Sequence, residues 1–329
     1  MASDIDILAE QPLLSVVIPN FNHGKYLERC VAGHLVGRHR PLEIILVDDH
    51  STDDSVAVAS AICARHDLVR LLKRTERGGP NIAVCDGLAA AQGKYVSFAA
   101  ADDSVEPDFA SSAISTLEEH PQAALCFYDP SSFMDGTGQK IQVPLALSDG
   151  PAFFSPDAFE AILKRNYFTI SSNTVVYRTD AIREIGGFRA ELALYADWMA
   201  NLVLAFRHGA CYRPEAKAHF RISPGSYSGS KGRSAAREYD LLFKYLDVLK
   251  ADYSDVRARF RNAGAIPEMR LRGGYWLAAD RRGREMLTGR LFLRLVLREI
   301  WTHLRPLTPQ KVRSAMRALS AARSVARRP

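Results

Sequence analysis

Two pairs of aspartates in this 329-residue chain are placed to do chemistry. Asp48-Asp49 and Asp102-Asp103 each follow a short apolar run, and Asp197 opens a helical pattern, Ala196-Asp197-Trp198-Met199. Adjacent carboxylates repel and raise one another's pKa unless something neutralises them. A divalent cation is the usual remedy. Oxygen ligands without a His or Cys cluster suit Mg²⁺ or Mn²⁺, which take one or two carboxylates plus substrate phosphates. The competing role for every one of these aspartates is helix capping. A carboxylate at position 197 lies near the positive end of its helix, which favours the ionised form.

Other chemistries lack their signatures. There is no GxGxxG after the first strand, no GxxxxGK[ST], no HExxH and no GxSxG, and the nine histidines are dispersed. Gly78-Gly79-Pro80-Asn81 precedes a helical pattern and reads as a turn whose amides can face an anion.

The elements that must position the aspartates alternate along the first 130 residues. Leu14 to Pro19, Leu42 to Val47, Leu68 to Leu72 and Tyr95 to Ala101 are short, apolar and largely β-branched, the pattern of strands buried on both faces. Helical patterns fall at about 24–36, 53–65, 81–92 and 107–119, with Ser51, Thr52, Asp53 and Asp54 supplying a cap and acidic first turn and Pro107 a first helical position. Repeated βα units predict an α/β fold, a mainly parallel sheet with helices on both faces, and such sheets bind ligands at the carboxyl ends of their strands. Residues 130–152 are rich in turn formers and leave the sheet; helical periodicity returns at about 156–165 and 195–208; Ser223 to Gly232 reads as a loop; from about 234 the pattern is helical.

Composition bounds the class. With 47% hydrophobic and 24% charged residues the chain has globular usage, which excludes collagen-like, disordered and disulfide-scaffold readings. Five scattered cysteines without CxxC spacing fit reduced thiols in a cytosolic setting. The acidic start MASDIDILAEQPLL is unlike a signal peptide, and Leu291 to Leu304 is too short and too charged to span a bilayer. The net charge of +6 conceals an asymmetry: residues 270–329 carry 15 basic against three acidic residues, a balance of +12, and the first 269 residues carry −6.

Five motifs in order carry a resemblance. Ser15-Val-Val-Ile-Pro-Asn-Phe-Asn22, Glu43-Ile-Ile-Leu-Val-Asp-Asp49, Gly93-Lys-Tyr-Val-Ser-Phe98 leading to Asp102-Asp103, Gly186-Gly187-Phe188, and Asp197-Trp198 resemble family 2 glycosyltransferases of the GT-A fold over about residues 13–228. The resemblance implies a catalytic domain at 1–230 and a basic helical region at 231–329. It also implies that Pro19, Phe21, Asn22, Asp49 and Asp102 bind the nucleotide, with Phe21 on the base and Asp49 reading its edge. Asp102 and Asp103 would then hold Mg²⁺ or Mn²⁺ and the diphosphate, and Asp197 would be the catalytic base. The implied reaction is inverting transfer from a UDP-type nucleotide sugar to a saccharide or lipid-linked hydroxyl. Ala100, Ala196, Val84-Cys85 and Ser223 depart from the family pattern, and they motivate an alternative, a non-catalytic nucleotide- or glycan-binding module. A nucleotidyltransferase would need a glycine-rich basic loop after the first strand, which is absent.

The basic region has its own logic. Arg290, Arg294, Arg298 and Arg305 share an arc of about 80° on a helix, with Leu291, Phe292, Leu295, Val296 and Ile300 on the remaining faces. A second amphipathic stripe follows Thr308-Pro309. Together, residues 289–328 suit the surface of an anionic membrane, giving a cytoplasmic protein peripheral on the inner face of the cell membrane. The opposing reading is that the apolar faces pack on the catalytic domain while the arginines are solvated. Nucleic acid is not expected, because no interleaved aromatic platform accompanies the charge.

Overall fold

The computed structural model of the protein describes residues 12–134, 139–222, 234–267 and 270–304. Among the described residues, twelve strands run β1 Leu14–Asn20, β2 Leu42–Asp48, β3 Val69–Lys73, β4 Tyr95–Phe98, β5 Ser104–Val105, β6 Leu125–Tyr128, β7 Ser131–Met134, β8 Lys140–Gln142, β9 Ala152–Phe154, β10 Val175–Arg178, β11 Ala210–Arg213 and β12 Ala218–Ile222. The helices are α1 Gly24–Leu35, α2 Ser55–Arg65, α3 Pro80–Ala90, α4 Phe109–Glu119, α5 Pro156–Arg165, α6 Thr179–Glu184, α7 Ala196–His208, α8 Ala235–Asp252, α9 Arg257–Ala263, α10 Arg270–Ala279, α11 Arg281–Arg284 and α12 Gly289–Leu304.

Among the described residues, the main sheet has the order β3-β2-β1-β4-β10-β6-β11-β9. Strands β1 to β4 are mutually parallel, so their carboxyl ends share one edge. The second half mixes directions, with β10 antiparallel to both β4 and β6 and β9 antiparallel to β11. Both faces are covered: Val17, Ile45 and Val47 point into one apolar cluster, and Val16, Ile18, Ile44 and Leu46 into the other. That double burial is why these strands read as continuous apolar runs rather than alternating ones.

Two glycines permit close packing under the site. A Cβ on Gly87 of α3 would stand 2.2 Å from Val17 Cγ1, so α3 lies on β1 at a distance only glycine allows. A Cβ on Gly93 would meet the backbone of Leu13, Ser15 and Tyr95, each at 2.7 Å, where the chain turns into β4.

The turn-rich segment 130–152 does leave the main sheet, yet it forms strands there. Strands β7 and β8 join β12 and β5 in a small second sheet, order β5-β12-β7-β8. Two start signals act differently from expectation. Helix α2 begins at Ser55, because Ser51 and Thr52 turn away to hold the loop after β1. Helix α4 begins at Phe109, because Pro107 uses its carbonyl to accept from the Arg38 N–H. Strand β4 stops at Phe98, and residues 99–103 turn sharply, with the Asp103 N–H donating to the Ala100 carbonyl at 3.0 Å.

The helices after residue 234 continue the core on one sheet face. Leu242, Tyr245, Phe260 and Leu291 belong to the same apolar cluster as Val17 and Phe127, and Tyr245 stacks on Trp198 with centroids 5.5 Å apart. All five cysteines are free thiols. Among the described residues no helix is long and apolar enough to cross a membrane.

Candidate functional site

The first two strand ends are tied by their own side chains. Asn20 pairs with Asp48 in register, and its Nδ2 donates to Asp48 Oδ1 at 3.0 Å. Asp48 Oδ2 accepts from the Ser51 N–H. Asp48 is therefore spent on the loop, and not on capping α2, which begins only at Ser55. Asn22 takes a left-handed conformation (φ 55°), and its Oδ1 accepts from the Thr52 and Asp53 amides at 2.8 and 3.3 Å. Asp53 in turn accepts from the Gly24 amide at the start of α1. Asn22 thus clamps two strand ends together, and Pro19 lies in β1 opposite Val47.

Asp49 meets the glycine turn. Its Oδ1 accepts from the Gly78 N–H and its Oδ2 from the Gly79 N–H, both at 2.7 Å, and Arg74 Nε pairs with Oδ1 at 3.0 Å. The amide pair of Gly78-Gly79 does bind an anion, and that anion is the chain's own Asp49. A carboxylate offers about four acceptor positions, so this buried group keeps little capacity beyond the loop. Phe21, half-buried, lies beneath Arg77, whose guanidinium carbon is 3.8 Å from the ring centroid. The same turn reaches further: Asn81 Nδ2 donates to the carbonyl of Ala193, a residue with φ 48° just before α7.

Asp102 and Asp103 differ sharply. Asp103 is buried, accepting from Asn173 Nδ2 at 3.0 Å and from the Arg221 N–H at 3.1 Å. Burial, then the neighbouring Asp102 charge, pushes its pKa up to about 7, opposed by those hydrogen bonds. Asp103 anchors the Asn173 turn and β12. Asp102 is half-buried, and among the described residues no hydrogen bond engages its carboxylate; its carbonyl accepts from Arg29 at 3.0 Å. Among the described residues no group of three or more His, Cys, Asp or Glu converges. The donor set that fits a hard divalent cation here is Asp102, completed by diphosphate oxygens and water.

Asp197 opens α7 and its Oδ1 accepts from the Trp198 N–H at 2.8 Å. Ser172 lies beside it, its hydroxyl and amide favouring the ionised form. Burial pushes the Asp197 pKa above the ordinary aspartate value against those bonds, so the helix end does not by itself set its ionisation. One short turn, Ser171 to Thr174, thus holds both acids: Ser172 contacts Asp197 and Asn173 contacts Asp103.

Several positions differ from their sequence reading. Ala196 is buried in the core and Val84 is buried on the inner face of α3, while Cys85 Sγ donates to the Phe188 carbonyl at 3.3 Å, facing the Gly187 turn. His219 is enclosed between Ser131 Oγ and Glu106 Oε1, each at 2.9 Å. Ser223 and the loop to Gly232 lie outside the described residues. Arg74, Arg77, Ser172 and Asn173 were not singled out from sequence; a basic residue beside the paired glycines was the one available signal.

A half-parallel sheet with carboxylates and a glycine turn gathered at its carboxyl edge, flanked by a small second sheet, defines a GT-A glycosyltransferase. The sequence model described as Glycosyl transferase family 2 matches residues 15–186, and the chain belongs to that family. It is 29% identical over 251 residues to the uncharacterized glycosyltransferase YibD of Escherichia coli K12, covering 74% of this chain and 72% of that one. It is 36% identical over 107 residues to glycosyltransferase GlyG of Streptococcus pneumoniae, a match spanning 32% of this chain and 36% of that protein's length. The fold is similar to Staphylococcus aureus TarS 1-349 in complex with UDP-GlcNAc (TM-score 0.56, 17% identity, 88% of this chain and 91% of that one). It is also similar to the mannosyltransferase PcManGT of Pyrobaculum calidifontis in complex with GDP-Man and Mn²⁺ (TM-score 0.53, 18% identity, 89% and 88%).

Proposed function

We propose that this glycosyltransferase moves a sugar, with inversion, from a UDP-linked nucleotide sugar to a hydroxyl of a saccharide or lipid-linked acceptor in surface polysaccharide or glycolipid assembly. The observation that carries the reading is that one turn, 171–174, holds Asp103 through Asn173 and lies beside Asp197 through Ser172, while the adjacent Asp102 carboxylate is left open. Asp102 would hold Mg²⁺ or Mn²⁺ together with the diphosphate; the bound cation supplies Lewis-acid stabilisation of the leaving group's charge. TarS and PcManGT, solved with UDP-GlcNAc and with GDP-Man and Mn²⁺, support a nucleotide-sugar donor and a cation.

The chain's own residues then do the rest. Phe21 offers an aromatic face to the base, Pro19 and Asn22 line the loop beside it, and Asp49 sets that loop through Gly78 and Gly79. Asp197 accepts the proton of the acceptor hydroxyl as the oxygen bonds to the anomeric carbon. The bond from that carbon to the diphosphate oxygen breaks on the opposite face, and the nucleoside diphosphate leaves with the electron pair. A pKa above the ordinary aspartate value makes Asp197 a stronger base than a solvated carboxylate.

The test is nucleotide diphosphate release from a panel of nucleotide sugars with Mn²⁺, repeated with Asp197→Asn. Release by the wild type and not by the variant is expected. Donor binding without turnover, with acceptors present, would instead favour the nucleotide- or glycan-binding module.

A further inference from the structure

The arginine arc and the apolar stripe of α12 do not divide as the sequence pattern suggests. Arg294 turns inward: its guanidinium lies 4.0 Å over the Tyr167 ring and donates to the Gly264 carbonyl at 2.5 Å. Leu291 and Leu295 are buried beside it. The outward face is apolar. At about 100° per residue, Phe292, Val296, Ile300, Leu293 and Leu297 fall in one arc of about 140°. Phe292 is 49% exposed, Leu293 57%, Leu297 56% and Ile300 49%.

Helix α10 extends the patch. Its Gly274 packs against Leu295 and Phe292, its Leu271 N–H donates to Glu299, and its Leu271 and Tyr275 are 38% and 73% exposed. Soluble proteins seldom present so many large apolar side chains together unless they meet something.

Charge selects the partner. Residues 270–329 carry 15 basic and three acidic residues. Glu299, the only acid on α12, turns toward α10 and His303. Arg290 borders the strip on an exposed position, about 20° beyond Leu297. A second copy would bring the same excess of positive charge to the interface. Residues 305–329, with seven basic residues and no acid, are also like-charged. An anionic surface complements both the charge and the apolar strip.

We propose that the outward face of α12, with Leu271 and Tyr275 of α10, docks this protein onto an anionic lipid bilayer, the strip entering the headgroup layer while Arg290 beside it and the basic excess of residues 270–329 pair with lipid phosphates. This proposal stands independently of the transfer reaction.

Vesicle co-sedimentation of the full chain tests it, using phosphatidylcholine vesicles with and without about one third phosphatidylglycerol. Binding to the anionic vesicles should weaken as salt rises from ~0.1 to ~0.5 M. The double substitution Phe292→Ser with Leu297→Ser should lower partitioning roughly tenfold at an unchanged melting temperature, since both side chains are exposed. If that variant proves unstable, Leu297→Trp decides: its emission should shift to the blue on anionic vesicles. The proposal is overturned by absence of vesicle binding, by equal binding of the double variant, or by unchanged emission of Leu297→Trp. A concentration-dependent dimer abolished by the double substitution, without lipid binding, would assign the face to a second copy.

Discussion

Asn173→Ala separates two roles that the sequence assigns to one residue. The motif reading makes Asp103 a metal ligand, whereas the structure buries it between Asn173 Nδ2 and the Arg221 N–H. Removing the Asn173 amide deletes a charge-assisted hydrogen bond to a buried carboxylate and leaves that oxygen short of a donor. The cost is about 2 kcal/mol, or roughly 30-fold in the folding equilibrium. Asp103→Asn has two opposing effects. One acceptor must then serve two N–H donors, which costs about 1–3 kcal/mol, while the repulsion from Asp102 and the burial of charge disappear. Its net effect should therefore be smaller than that of Asn173→Ala. The double variant should be less destabilised than the sum of the singles by about 1–2 kcal/mol, because both remove the same bond. Urea unfolding at neutral pH measures this, with midpoints shifted by roughly 0.5–1 M for Asn173→Ala at constant slope. The reasoning fails if Asn173→Ala unfolds at the wild-type midpoint. It also fails if Asp103→Asn keeps wild-type stability but raises the Mn²⁺ concentration needed for turnover, the signature of a ligand.

Asp197→Asn should lower turnover by about 10²–10⁴ while leaving the far-ultraviolet circular dichroism unchanged. In the wild type, the base works ionised and burial raises its pKa, so kcat/KM should rise with pH through a limb lying above the ordinary aspartate range. A limb at or below the ordinary value in a pH-rate profile would remove Asp197 from that role. Gly87→Ala puts a methyl within 2.2 Å of Val17 Cγ1, and should cost about 1–3 kcal/mol in denaturant unfolding. Asp49→Asn leaves one acceptor oxygen for two glycine amides and sets an NH2 donor against the other, which should lower the unfolding midpoint and weaken nucleotide binding together by calorimetry.

The strands were legible because burial on both faces leaves apolar runs such as Val16-Val17-Ile18 and Ile44-Ile45-Leu46-Val47, which no amphipathic helix would carry. Helix ends were less legible. Ser51 and Thr52 have the chemistry of caps, but their partner is Asn22, 29 or more residues away in sequence. Local propensity carries no information about that contact.

The order of the residues determined on its own which chemistry is available: carboxylates at the ends of parallel strands, no phosphate loop, no metal-binding His or Cys set, and a basic end on an acidic body. Tertiary structure decided which carboxylates remain open. Asp48, Asp49 and Asp103 look alike in sequence to Asp102, yet each is consumed by N–H groups from distant segments, Asn20, Gly78-Gly79 and Asn173 with Arg221. It also decided which side of α12 faces the core. An arginine can bury its stem and find a carbonyl and a ring, as Arg294 does, while leucines at equal helical spacing are left outside. Periodicity defines the faces of a helix, and only the packing partner determines which face is covered.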